Sequence, residues 1–98
     1  MRMNEEGLKK LVIEALRHVE DPELHIDIYT LGLIYDVRVE EDGVSILMTL
    51  TTPLCPYARE IEDAVRKAGA LSGLPVCITV TFDPPWNPPQ DLRAILGL

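Results

Sequence analysis

Between Val44 and Phe82 the hydropathy period of the chain changes twice. Val44, Ile46, Met48 and Leu50 alternate with Ser45, Leu47 and Thr49, which is the period of a strand. Tyr57, Ile61, Ala64, Val65 and Ala68 then recur at the spacing of one helical face. Val76, Ile78, Val80 and Phe82 return to alternation with Cys77, Thr79 and Thr81. A strand, a helix and a further strand form a crossover unit, right-handed if the two strands pair in parallel. The run predicts a helix from about Pro56 to Ala70, ended by Gly69 or Gly73.

The remaining segments arrange themselves around this unit. Leu8, Leu11, Val12, Ala15, Leu16 and Val19 mark an earlier helix from about Asn4 to Val19, with Asn4 as N-cap and Pro22 as stop. Residues 20–31 read as an irregular loop between Asp21-Pro22 and Thr30-Leu31-Gly32. Tyr35, Val37 and Val39 alternate with Asp36, Arg38 and Glu40 and join the Val44 strand as a hairpin, with Asp42-Gly43 marking the turn. The apolar set of each hairpin strand is expected on the core side. A proline-rich tail begins at about residue 83, and residues 91–98 are read as a short last helix or a frayed end. The order is α-β-β-α-β. It predicts one α/β (α+β) domain over residues 1–98, a small two-layer sandwich. About three strands form a mixed sheet with both helices on one face, leaving the other partly open.

Charge narrows the partners. Sixteen acidic residues against nine basic ones give a net charge of −7. No basic stripe is present, and Arg59, Arg66 and Lys67 are interleaved with Glu60, Glu62 and Asp63. Neither a nucleic acid nor an anionic membrane surface is expected as partner. No apolar run approaches the ~20 residues of a membrane span. The first residues lack the apolar core of a secretory signal. The two cysteines, Cys55 and Cys77, are therefore expected as free thiols in the cytoplasm rather than as a disulfide. No phosphate-binding glycine loop, and so no nucleotide cofactor, is indicated.

The candidate reactive atom is the sulfur of Cys55, in Thr51-Thr52-Pro53-Leu54-Cys55-Pro56. Pro56 suits the first turn of a helix, which places Cys55 at or beside the N-cap. Unpaired N–H groups and the positive end of the helix dipole face that position and favour a thiolate, the form that attacks electrophiles and binds soft metals. A free cysteine is ordinarily a small buried hydrophobe. The flanking prolines and the helix start set the functional reading ahead here. Thr51 and Thr52 enter the same loop, where their hydroxyls either bond a thiolate or anion or simply suit a strand end. Asp21 and Glu23 flank Pro22 near the negative end of the first helix, an unfavourable place for a carboxylate. Either they are aimed at Cys55 as base or metal ligand, or Asp21 bonds nearby backbone N–H groups in an Asp-Pro turn. Trp86, among prolines, is expected to pack the tail on its own domain.

Four segments together resemble a known family. They are Asp21-Pro22-Glu23, Leu31-Gly32-Leu33-Ile34-Tyr35, Thr51-Thr52-Pro53 with Cys55-Pro56, and Asp83-Pro84-Pro85-Trp86. In this order and spacing they resemble the SufT/PaaD, or MIP-eighteen, family of iron–sulfur cluster assembly factors. The resemblance implies a role in maturing iron–sulfur proteins, with Cys55 as functional centre and Asp21, Glu23, Thr51 and Thr52 lining the site. It implies cluster carriers or scaffolds and apo target proteins as partners.

A cysteine-held cluster wants four thiolates, and one chain offers Cys55 and at most Cys77. The cargo, a cluster or iron, is then held transiently at Cys55, shared between two chains of a homodimer, or completed by a partner. An assembly or carrier factor is favoured over an enzyme. The rivals are a cysteine-nucleophile enzyme with Asp21 or Glu23 orienting a water or base, and an interaction module that uses the open sheet face and the Pro-Trp tail.

Overall fold

The computed structural model describes residues 4–90. Helix α1 spans Glu5–Leu16, strands β1 and β2 span Ile34–Glu40 and Gly43–Met48, helix α2 spans Ala58–Ala70 and strand β3 spans Val76–Val80. The sheet order is β1-β2-β3, with β1 antiparallel and β3 parallel to β2. This is the mixed three-stranded α-β-β-α-β fold that the periodicities predict. The expected last helix falls outside the described residues.

The helices begin and end for local reasons. Asn4 caps α1, its side chain accepting from Gly7 N at 2.7 Å. The chain keeps turning beyond Leu16 in tighter i→i+3 steps, His18 N to Ala15 O and Val19 N to Leu16 O. The expected helix to Val19 is thus helical to Leu16 and tightened after it. Helix α2 starts later than Pro56, with Tyr57 at the N-cap and no side-chain cap. Gly69, expected as a stop signal, lies inside α2. A Cβ there would sit 2.9 Å from Val76 Cγ1, so its role is close approach of α2 to β3. Gly73, at φ +79°, is the residue that turns the chain afterwards.

The turn between β1 and β2 also differs from expectation. Glu41 and Asp42 form it, and Gly43 already belongs to β2. Gly43 is small because Pro75 O would lie 3.2 Å from a Cβ, while Val44 N donates to that same oxygen at 2.8 Å.

Alternation sorts the sheet faces as predicted. Val37, Val39, Val44, Ile46 and Met48 are buried under the helices, which add Val12, Leu16, Ile61, Val65 and Ala68. Arg38, Ser45, Leu47, Cys77 and Thr79 are exposed on the opposite face. There Arg38 Nε pairs with Asp36 Oδ2 at 2.9 Å, an exposed pair that contributes little to stability.

Segment 20–33 contains no regular strand, and it is part of the core. Ile28, Leu31 and Leu33 are fully buried. A single antiparallel bridge joins Glu20 and Asp27, closed by Asp21 N to Ile26 O at 3.0 Å and His25 N to Asp21 O at 2.8 Å. His25 takes φ 56° at the apex, a left-handed conformation in which His is among the more tolerated non-glycine residues.

Candidate functional site

The parallel strands β2 and β3 finish at the same end of the sheet where the antiparallel β1 begins. Three irregular segments therefore meet there: residues 17–33, residues 49–57 and the tail after Val80. A chain of backbone hydrogen bonds ties them together. Ile28 N donates to Val19 O at 2.8 Å, Leu33 N to Ile28 O at 3.0 Å, Thr49 N to Leu33 O at 2.8 Å and Thr81 N to Met48 O at 2.9 Å.

The loop after β2 is built as two successive tight turns. Cys55 N donates to Thr52 O at 3.1 Å, and Ala58 N donates to Cys55 O at 3.3 Å. Thr52 Oγ1 accepts from Leu54 N at 3.3 Å, a local turn bond. Cys55 thus sits at the junction of the turns, two residues ahead of the Tyr57 cap rather than on it. The reason is that Pro56 and Tyr57 continue the turn before helical geometry sets in, with Tyr57 at φ −103° and ψ 14°. The free N–H groups of α2 belong to the residues after Ala58, so the dipole reaches the sulfur only weakly. The thiol is free, half-buried and packed against the edge of the core.

Asp21 is 3% exposed, and its Oδ1 accepts from Glu23 N at 2.8 Å and Leu24 N at 3.0 Å. One carboxylate oxygen is thereby committed to the turn that the Asp-Pro pair predicts. Glu23 is exposed, Thr51 half-buried and Thr52 exposed. The backbone ladder ties the segment that carries the Asp21–Glu23 turn, through Leu33, to Thr49 at the entry of the Thr51–Cys55 loop. Among the described residues no hydrogen bond or ion pair joins the two segments. No group of three or more His, Cys, Asp or Glu side chains is placed to hold a metal ion, again among the described residues.

Asp21 yields a prediction. Asp21→Ala removes the charged acceptor of two part-buried N–H groups and should cost about 1–3 kcal/mol in urea unfolding. Asp21→Asn keeps an oxygen at the Oδ1 position and should recover most of that loss.

Two residues of this end escaped the sequence reading. Thr49, placed by alternation on the outer face of β2, is fully buried, because β2 ends at Met48 and the chain turns inward toward Leu33. Its hydroxyl donates to Leu50 O at 3.4 Å. Leu54, beside Cys55, is 88% exposed. Its place between Pro53 and Cys55 in a braced loop was the available signal. Cys77 is exposed on the open sheet face, as its alternation predicts.

The tail closes this end. Trp86 Nε1 donates to Leu31 O at 2.7 Å, Tyr35 Oη donates to Pro84 O at 2.8 Å, and Pro89 lies over Gly32. Trp86 packs on its own core, as expected from the sequence. No helix among the described residues is long and apolar enough to cross a membrane.

The family described as Iron-sulfur cluster assembly protein matches residues 9–80, and the chain belongs to it. The chain is 49% identical over 86 residues to the Fe-S protein maturation auxiliary factor YitW of Bacillus subtilis (strain 168), covering 87% of this chain and 82% of that protein. It is 38% identical over 88 residues to an iron-sulfur cluster carrier protein of Synechocystis sp. (PCC 6803), covering 88% of this chain and 25% of that longer protein. A solved structure of a domain of unknown function, DUF59, from Bacillus anthracis superposes with a TM-score of 0.81 at 32% identity, covering 96% of this chain and 95% of the other.

Proposed function

We propose that this chain is an accessory factor in iron–sulfur cluster assembly or transfer, and that the Cys55 sulfur is its contact with the cargo. The family match over residues 9–80, and the likeness to a maturation auxiliary factor and to a cluster carrier, support the accessory role. The observation that carries the role of Cys55 is its position. It is a free, half-buried thiol on a proline-braced loop where two parallel strands end, the end of an open α/β sheet at which ligands ordinarily bind.

The ligand count sets the mechanism. A cluster held by cysteines takes four thiolates. Cys77 projects from β3 on the open face, and the described residues offer no further metal-holding group. The cluster or iron is then cargo that Cys55, as thiolate, engages while a carrier, a scaffold or the apo target supplies the other ligands. An open site of this kind also releases what it takes. Thr51 and Thr52, at the mouth of the loop, would donate hydroxyl hydrogen bonds to a sulfur or sulfide, and the Asp21 and Glu23 carboxylates would adjust charge there. The factor works in the cytoplasm, where thiols stay reduced.

The test is anaerobic transfer. Wild type, Cys55→Ala and Cys77→Ala are each incubated with iron, sulfide and an apo target, and target activity is followed. Cys55→Ala should slow activation at least about tenfold, the loss typical of damage to a metal site, while Cys77→Ala stays near wild type. Equal activation by wild type and Cys55→Ala would sink the proposal.

A further inference from the structure

Among the described residues no further strand covers the outer edge of β3, and we infer that it pairs with the same edge of a second copy of this chain about a two-fold axis at Ile78. The hydrogen-bond pattern shows which groups the edge offers. Pro75 O and Thr81 N both bond to β2, at 2.8 Å and 2.9 Å. Odd-numbered residues of β3 therefore turn their backbone toward β2, and Val76, Ile78 and Val80 turn theirs outward. Of these groups Val76 O is covered by Arg66 Nη1 at 3.2 Å.

The edge lacks the usual protections. From Val76 to Phe82 the sequence has no charge and no proline. The opposite edge strand, β1, is different: it carries Asp36, Arg38 and Glu40 and a register shift between Ile34 and Asp36. The core-side residues of β3 are also incompletely covered. Val76, Ile78 and Val80 are only half-buried, and Phe82 is 38% exposed.

A second copy completes this edge in one register. Antiparallel pairing of Ile78 with the partner's Ile78 sets Val76 against the partner's Val80, so every outward donor meets an acceptor. The half-buried aliphatic side chains then cover one another. Charge on α2 agrees with the same axis. Arg66 reaches the β3 edge, and Glu62 lies one turn before it on the same flank of the helix. Gly69 lies against Val76. Two residues along β3, about 6.6 Å, correspond to four or five residues back along α2, about 6–7.5 Å. Ile78 is thus level with residues 64–65, close to the midpoint of Glu62 and Arg66. The two-fold brings Arg66 beside the partner's Glu62, and the reverse. Arg66 yields Val76 O to the partner's Val80 N–H and gains a carboxylate. A five-residue edge and one helix flank make a small interface, so the dimer should dissociate on dilution.

Sedimentation velocity over a dilution series should show a monomer–dimer equilibrium. Arg66→Glu, an exposed change, sets like charges together and should weaken the dimer about tenfold. Adding Glu62→Arg should restore it. Register is tested by disulfide trapping in Cys55→Ala protein. Thr79→Cys faces the partner's Cys77 in a pair that is not hydrogen-bonded, with Cα atoms about 4.5 Å apart. Mild oxidation should give a covalent dimer, whereas Cys55→Ala alone, with Cys77 two positions out of register with itself, should not. A wild type that stays monomeric at every concentration leaves the edge to a strand of another protein and overturns the inference. So does failure of Thr79→Cys to cross-link, or equal cross-linking without it.

Discussion

Ile28→Ala is expected to lower the unfolding free energy by about 2–5 kcal/mol, as large-to-small changes in packed cores do. The residue lies in a segment without helix or strand, where substitutions are usually mild. Here it is fully buried, together with Leu31 and Leu33. Its N–H and C=O are both engaged, with Val19 and Leu33, so the backbone cannot shift easily to fill the void. The loss is a sizeable share of the ~5–15 kcal/mol that stabilises a domain. Urea unfolding followed by circular dichroism measures it. A cost below about 1 kcal/mol would mean that the segment is a surface loop after all.

That burial marks where the sequence stopped being legible. The helices and strands were readable because each buries one face, and a single repeating face leaves a period in the sequence. Val37 and Val39, Val44 to Met48, and Ile61 with Val65 all follow it. Residues 28–33 bury side chains through a series of turns, so Ile28, Leu31 and Leu33 show no period that a window could detect. Thr49 fails for the related reason that alternation was carried one residue past the end of β2. At the candidate site, the prolines placed the Thr51–Pro56 stretch in a loop between β2 and α2, where it lies. They overstated the helix start, because Pro56 tolerates a turn as well as a first helical position. Whether Asp21 is catalytic or structural was open by sequence. Its Oδ1 bonds to Glu23 N and Leu24 N give it a structural task that any role at Cys55 must share.

Trp86→Ala should cost about 2–4 kcal/mol, less than the ~3–5 kcal/mol of a fully buried aromatic because the ring is half exposed. Two losses combine. The ring leaves the core edge, and the carbonyl of fully buried Leu31 loses its 2.7 Å donor. Trp86→Phe separates them: it keeps most of the apolar area and should cost about 1–2 kcal/mol for the orphaned carbonyl. Tyr35→Phe, which removes only the exposed bond to Pro84 O, should stay below about 1 kcal/mol. Trp86 is the single tryptophan of the chain, so its emission reports directly on docking of the tail. If the tail is an integral part of the core, emission and far-ultraviolet circular dichroism should change at the same urea midpoint, as a two-state transition requires. An emission midpoint well below the circular dichroism midpoint would show the tail leaving first. The Leu31 carbonyl would then face water before the sheet unfolds, and Trp86→Ala would cost far less than stated.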